Sequence, residues 1–261
     1  MPVPNLAADL DLLVDAAREA GAIALRYFKR DPQIWDKGDG AGPVTEADLA
    51  VNTMLEGRLR RARPDYGWLS EETPDSTDRL SAKRCFIIDP IDGTRAFIEG
   101  QDSFAHSLAI AEGDKIIAAA VFLPAKNRMY SAHAASSAQM NGQPIRASAQ
   151  AGVVGASVLT SKPNMQAHHW PGGVPDVARA FRPSLAYRLC LVAEGRFDAM
   201  LAFRPTWEWD IAAGALIATR AGAVVSDGMG AELRFNASDP RTPGVIVASV
   251  GLHAELIARR G

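Results

Sequence analysis

From Cys85 to Thr94 the chain reads Cys-Phe-Ile-Ile-Asp-Pro-Ile-Asp-Gly-Thr, which sets two carboxylates, Asp89 and Asp92, behind an apolar run and just before a glycine and a hydroxyl. Carboxylate oxygens are the ligands that hard divalent cations prefer, and two aspartates three residues apart across a tight turn can aim at one point. An anion above Gly93 and Thr94 would meet free backbone N–H groups and the positive end of a helix dipole. One turn could thus hold a cation and a phosphate together. An isolated Asp-Gly-Thr is ordinary turn and cap chemistry. A cap, however, needs one oxygen, and here two acids, a proline, a glycine and a threonine follow a single apolar strand.

Two other segments carry acids in telling places. Trp68-Leu69-Ser70-Glu71-Glu72 puts paired glutamates after a short apolar stretch, and Trp207-Glu208-Trp209-Asp210-Ile211-Ala212-Ala213-Gly214 puts an aspartate at the start of an alanine-rich helix. Taken singly, the first is a solvated surface pair and the second a helix cap.

The elements that must position these residues can be read from periodicity. Phe86–Ile88 reads as an interior strand ended by a turn at Pro90 and Gly93, with a helix opening at Thr94. Leu6–Arg30 carries apolar residues at helical spacing, and Thr45-Glu46-Ala47-Asp48 resembles a capping box that opens a second helix. Phe104–Glu112 and Lys115–Pro124 read as strands joined at Gly113-Asp114, and Asn141-Gly142 as a hairpin turn. Ser184–Glu194 and Asp210–Arg220 read as helices stopped by Gly195 and Gly222. Small residues clustering at 147–155 predict a boundary between subdomains 1–148 and 149–261. The glycine-rich run Asp36–Pro43 follows no convincing strand and reads either as a mobile lid or as a solvated linker.

Composition bounds the function classes. With 261 residues, 48% of them hydrophobic, the chain can bury one large core or two smaller fused ones. A formal charge of −2 and no concentrated basic face exclude nucleic acid as a general partner. No apolar run reaches membrane-span length, and residues 1–5 lack a basic, then apolar, leader, so the expected compartment is the cytoplasm. Cys85 and Cys190 are far apart in apolar surroundings and read as reduced core thiols. There is no Gly-x-Ser-x-Gly elbow, and His168-His169 reads as part of a surface loop.

Together, Pro43-Val44-Thr45-Glu46-Ala47-Asp48, Glu71-Glu72, Asp89-Pro90-Ile91-Asp92-Gly93-Thr94 and Trp209-Asp210-Ile211-Ala212-Ala213-Gly214 resemble, in order and spacing, the inositol monophosphatase superfamily of magnesium-dependent, lithium-sensitive phosphate monoesterases. The resemblance spans essentially the whole chain. It implies an α+β fold, a five-layered αβαβα sandwich. It also implies that Glu71, Asp89 and the Ile91 carbonyl hold one Mg²⁺, that Asp89, Asp92 and Asp210 hold a second, and that a third can bind near Glu71. Catalytic roles fall to Thr94, oriented by Asp48, and to Glu71; Gly93 and Thr94 meet the phosphate, and Lys37 takes the place of a loop lysine near the metals. Members are commonly homodimers that act on small phosphate esters.

Two arginines bear on the substrate. Arg188 falls where bacterial 3'(2'),5'-bisphosphate nucleotidases tend to have lysine, and Arg95 replaces the uncharged residue usual in inositol phosphatases. Guanidinium groups suit a second phosphate. Seven positions before Asp210, where inositol enzymes have an acid that holds sugar hydroxyls, this chain has Phe203. These departures favour 3'-phosphoadenosine 5'-phosphate. Arg95-Ala96-Phe97 also resembles histidinol-phosphatases, and Ser161-Lys162-Pro163-Asn164 departs from the nucleotidase string, so inositol 1-phosphate and histidinol phosphate stay as alternatives. The alternative from another class is a binding protein that keeps the fold without catalysis.

Overall fold

All nine residues from Arg84 to Asp92 are buried, which requires a strand covered on both faces. The computed structural model, which describes residues 5–38 and 42–260, supplies both covers. In chain order the elements are α1 (Leu6–Tyr27), β1 (Ile34–Asp36), β2 (Pro43–Thr45), α2 (Glu46–Ala62), β3 (Gly67–Ser70), β4 (Arg84–Asp92), α3 (Thr94–Ile98), β5 (Ala105–Glu112), β6 (Lys115–Leu123), β7 (Arg128–His133), β8 (Gln139–Met140) and β9 (Gln143–Pro144). They continue as β10 (Ser157–Thr160), β11 (Ala178–Ala180), α4 (Leu185–Ala193), β12 (Ala199–Ala202), β13 (Thr206–Trp207), α5 (Glu208–Arg220), β14 (Val224–Ser226), β15 (Arg241–Thr242), β16 (Val245–Ala248) and α6 (Val250–Arg260).

Strands β3 to β9 form a seven-stranded sheet in sequence order, and β11-β10-β12-β16-β14 a five-stranded one. The strand pleat splits the core between them. On β4, Phe86 and Ile88 pack with Leu13, Ala17, Val51 and Leu55 of α1 and α2. Cys85 and Ile87 face the other way, onto Leu189, Ile211 and Ala215 of α4 and α5, which also reach Leu159, Met200 and Val247 of the smaller sheet. On the far face of that sheet Val158, Leu201 and Ile246 pack on Leu252 and Leu256 of α6. The layers therefore run helix, sheet, helix, sheet, helix, the expected αβαβα sandwich. Every residue of α4 is buried, as suits a helix in the middle layer. Its close approach to α5 needs a glycine: a Cβ on Gly214 would lie 2.6 Å from the Leu189 Cβ.

Local signals account for most boundaries. Thr45 and Asp48 form the capping box that opens α2, Ser184 caps α4, and Gly195 and Gly222 follow their helices at φ 71° and 94°. Three expectations need correction. The first helix ends at Tyr27 rather than Arg30, because the chain reverses through positive φ at Lys29 and Asp31. The strand through Phe86–Ile88 does not end at Pro90 but continues to Asp92 across a break in register. The glycine-rich run does follow a short strand, since β1 and β2 flank it as an antiparallel pair; Asp39, Gly40 and Ala41, the centre of the proposed lid or linker, lie outside the described residues, as do residues 1–4. Cys85 and Cys190 are free and buried, and burial pushes the Cys85 thiol up to about 12, so it stays protonated. Among the described residues, no helix is long and apolar enough to cross a membrane.

Candidate active site

The geometry of the acidic turn starts with its proline. Pro90 has no N–H to give a ladder, and β4 accommodates it by a bulge: Asp89 pairs with Ser107 and Asp92 with Ala105, leaving Pro90 and Ile91 with no partner residue on β5. The bulge spares the burial of the strand while turning Asp89 and Asp92 toward one point. Gly93 ends β4 at φ 97°, a left-handed conformation that strains other residues. No side chain caps α3, so its first N–H groups have no side-chain partner. Because α3 has only five residues, the attraction for an anion rests on those N–H groups more than on the expected helix dipole.

Asp89 and Asp92 meet Asp210, and one carboxylate oxygen of each lies within 4.8 Å of the others. Asp210 reaches them from the first turn of α5. The cap position there belongs to Trp207, so Asp210 is not the helix cap that the isolated motif allows. Asp92 is anchored by α4: its Oδ2 accepts from Ser184 Oγ at 2.7 Å and from Ala186 N at 2.6 Å. Burial holds the Asp89 and Asp210 carboxyls far above the usual range. For Asp89 the charges of Glu71, Asp92 and Asp210 add to it; for Asp210, those of Asp92 and Glu71 do. Asp89 Oδ1 is buried with no hydrogen-bond partner among the described residues. Converging acids around an orphaned oxygen are the donor set of a hard divalent cation, which would offset the mutual repulsion. Among the described residues this is the one such group of potential metal ligands.

Glu71 lies beside this trio rather than in it. Its backbone N–H donates to the Ile88 carbonyl at 3.2 Å, tying it to β4, while its Oε1 accepts from Lys37 Nζ at 2.8 Å. Lys37 also donates to Glu72 at 2.6 Å. The glutamate pair is therefore no solvated surface feature: the Glu72 side chain is 4% exposed, and burial pushes its pKa up to about 7. Burial tends to lower the Lys37 pKa, and the two carboxylates more than offset that.

Behind the turn stands a second pair. Thr94 Oγ1 lies 3.2 Å from Asp48 Oδ1 and 3.1 Å from the Ile91 carbonyl. A hydroxyl has one proton, so Thr94 can serve only one of these acceptors at a time. Asp48 is fully buried; its Oδ2 accepts from the Thr45 N–H at 2.9 Å, and burial raises its pKa to about 6 against the effect of the Thr45 hydrogen bonds. It can take a proton at neutral pH.

Glu71, Asp89, Ile91, Asp92, Thr94 and Asp210 floor a cavity of about 980 Å³ whose wall is mostly basic, with Arg95, Arg188 and Arg204 among its lining beside Glu99 and Asp102. The structure brings both predicted arginines to the cavity but does not leave Arg188 free. Its Nε donates to the Arg182 carbonyl, an Nη donates to the Pro183 carbonyl at 3.1 Å, and it stacks over Phe181 at 4.3 Å. Burial pulls its pKa down to about 10. Phe203 does not line the cavity; it packs beside His169, Trp170 and Arg260, and strand alternation turns its neighbours Ala202 and Arg204 inward instead. Sequence reading missed Arg204, which among the described residues makes no ion pair. It also missed Trp207, whose ring stacks on Trp209 at 4.6 Å by the cavity. The alternating residues after β12 were the available signal for Arg204. His168-His169 sits in a short helical turn with its rings 4.0 Å apart, outside the site.

The inositol monophosphatase family model matches residues 5–260. The chain is 33% identical over 238 residues to an inositol-1-monophosphatase of Rhizobium meliloti, covering 85% of this chain and 86% of that one. It is 31% identical over 231 residues to the 3'(2'),5'-bisphosphate nucleotidase CysQ of Escherichia coli, covering 87% and 93%. Among solved structures it is similar to the inositol monophosphatase of Thermotoga maritima, with a TM-score of 0.84 and 28% identity over 96% of each chain. With a match of this extent on a floor of converging acids, the chain belongs to the inositol monophosphatase family of metal-dependent phosphate monoester hydrolases.

Proposed function

We propose that this chain hydrolyses a phosphate monoester that carries a second anionic group, best matched by 3'-phosphoadenosine 5'-phosphate, with two Mg²⁺ as cofactors. The observation that carries the reading is the pairing of an acidic floor, Asp89, Asp92 and Asp210, with a wall bearing Arg95, Arg188 and Arg204. Asp89, Asp92 and Asp210 would hold one cation; Glu71, Asp89 and the Ile91 carbonyl would hold the other. Bound cations supply Lewis-acid polarisation of the ester and a water of lowered pKa. The chain's own groups do the rest. Thr94 passes its proton to Asp48 Oδ1 when it accepts one from the attacking water, and the buried Asp48, with a pKa of about 6, is ionised at pH 7. The N–H groups of Gly93 and Thr94 meet the phosphate oxygens as charge shifts in the transition state. Lys37 holds Glu71 and Glu72 in place from the neighbouring loop.

Inositol 1-phosphate is the second reading, favoured by the similarity to the Rhizobium meliloti enzyme. Against it stands the absence of an acid at Phe203, whose ring is engaged elsewhere. A non-catalytic role is disfavoured, because a scaffold gains nothing from four buried or half-buried acids that repel one another. The test is phosphate release from adenosine bisphosphate, inositol 1-phosphate, histidinol phosphate and fructose 1,6-bisphosphate at equal Mg²⁺. The highest kcat/KM should fall on the adenosine bisphosphate; a preference for inositol 1-phosphate would replace this reading with the second.

A further inference from the structure

The bulge in β4 exposes a carbonyl that the strand ladder leaves unpartnered, and a histidine answers it. Pro90 has no partner residue across the ladder, and its carbonyl lies against His106 Nδ1. A carbonyl only accepts, so Nδ1 carries the hydrogen and donates it. His106 is fully buried on the α1 and α2 side of β5, with its ring 6.3 Å from that of Phe104 and 6.4 Å from that of Phe122. Its Nε2 is then a buried lone pair with no partner among the described residues. An apolar side chain would avoid that cost but would leave the buried Pro90 carbonyl without a donor, so the imidazole is kept for what its Nδ1 holds. It provides a rigid donor at the one point where the acidic turn departs from the sheet.

We propose that His106 is a positioning residue for the metal centre: by holding the Pro90 carbonyl it fixes the peptide planes between Asp89 and Asp92, and with them the direction of the Ile91 carbonyl and of both carboxylates. Burial lowers the ring's pKa to about 4, so across the neutral range the donor brings no charge to the acidic turn. The inference rests on the proposed role of Asp89, Ile91 and Asp92 as metal ligands.

The test is Mn²⁺ binding without substrate, followed by the electron paramagnetic resonance of free Mn²⁺, in wild type, His106→Leu, His106→Asn and Asp92→Asn. The Asn amide can place a donor near Nδ1, and Leu fills the space without one. His106→Leu should bind Mn²⁺ about 10- to 100-fold more weakly, the range for loss of an outer partner of a ligand, and His106→Asn should stay within about threefold of wild type. Equal binding by wild type and a folded His106→Leu, or equal losses in the two variants, would overturn the role of His106. Binding by wild type that Asp92→Asn also keeps would instead overturn the ligand assignment, and the inference with it. Should His106→Leu not fold, imidazole ¹⁵N resonances of the wild-type protein decide. Hydrogen on Nδ1, with a shift that moves as Mg²⁺ saturates, is expected; hydrogen on Nε2, or no response to Mg²⁺, rejects the proposal.

Discussion

Asp210 has no competing hydrogen-bond partner among the described residues and faces Asp89 and Asp92 directly, so it offers the cleanest single change in the site. Asp210→Asn should lower kcat/KM by more than about 100-fold, beyond what loss of an outer partner costs. In the metal-free protein the same substitution should raise the melting temperature, because a neutral amide escapes the burial and the repulsion by Asp92 and Glu71 that hold the Asp210 carboxyl above its usual range. Phosphate release checks the first, and calorimetry of the metal-free protein the second. Asp48 supports a pH prediction. Its active form is ionised and its pKa is about 6, so kcat/KM should climb as pH rises through 6 and level above it. Asp48→Asn should remove that limb with a loss of about 10²- to 10⁴-fold. At this scale the acids were legible because residue type and turn chemistry coincide at Asp89-Pro90-Ile91-Asp92-Gly93. Arg204 was not, because a lone arginine beyond a strand end reads as surface until alternation along β12 is known. The engagement of Arg188 with backbone carbonyls was hidden for a related reason: carbonyl direction is a property of the folded loop.

Strand β5 clamps two other elements. On one face His106 meets the bulge of β4, and on the other Ser107 Oγ donates to the Trp209 carbonyl at 2.9 Å, at the start of α5. His106 titrates near 6.5 unfolded and near 4 folded. Its contribution to stability is intact above pH 6.5 and is lost as pH falls from 6.5 to 4, by about 3 kcal/mol in all. The stability difference between wild type and His106→Asn, followed by urea unfolding, should therefore shift across that window and be constant above it. At the start of α4, Ser184 both caps the helix and donates to Asp92. Ser184→Ala should cost about 1 kcal/mol as a lost cap and should also weaken Mg²⁺ binding, which an ordinary cap would leave unchanged. Helices and hairpins were legible from caps and glycines, as at Thr45, Ser184 and Asn141-Gly142. The bulge was not, since register belongs to two strands at once and a proline beside acids reads more simply as a turn.

For the whole molecule, the layer order decides the chemistry. Glu71 follows the edge strand β3, Asp89 and Asp92 end the interior strand β4, and Asp210 comes from the helix layer between the two sheets; only their stacking brings acids so distant in sequence to one cavity. That layering was legible through resemblance and not through periodicity, because an apolar pattern shows that a face is buried without showing against what. The opposed signs of floor and wall are likewise a property of the assembled cavity. Arg204→Ala should raise KM for a bisphosphate by about 10- to 100-fold, the worth of a charge-assisted hydrogen bond, and should change KM for a simple monophosphate much less. Equal changes for both substrates would place Arg204 outside substrate recognition. The central claim, that the acids from β4 and α5 hold divalent cations that make this chain a phosphatase, is tested most directly by phosphate release from 3'-phosphoadenosine 5'-phosphate after chelation and stepwise return of Mg²⁺. Release should be absent from the chelated protein, return with Mg²⁺, and stay absent in Asp210→Asn; release that is indifferent to chelation, or retained in Asp210→Asn, would contradict it.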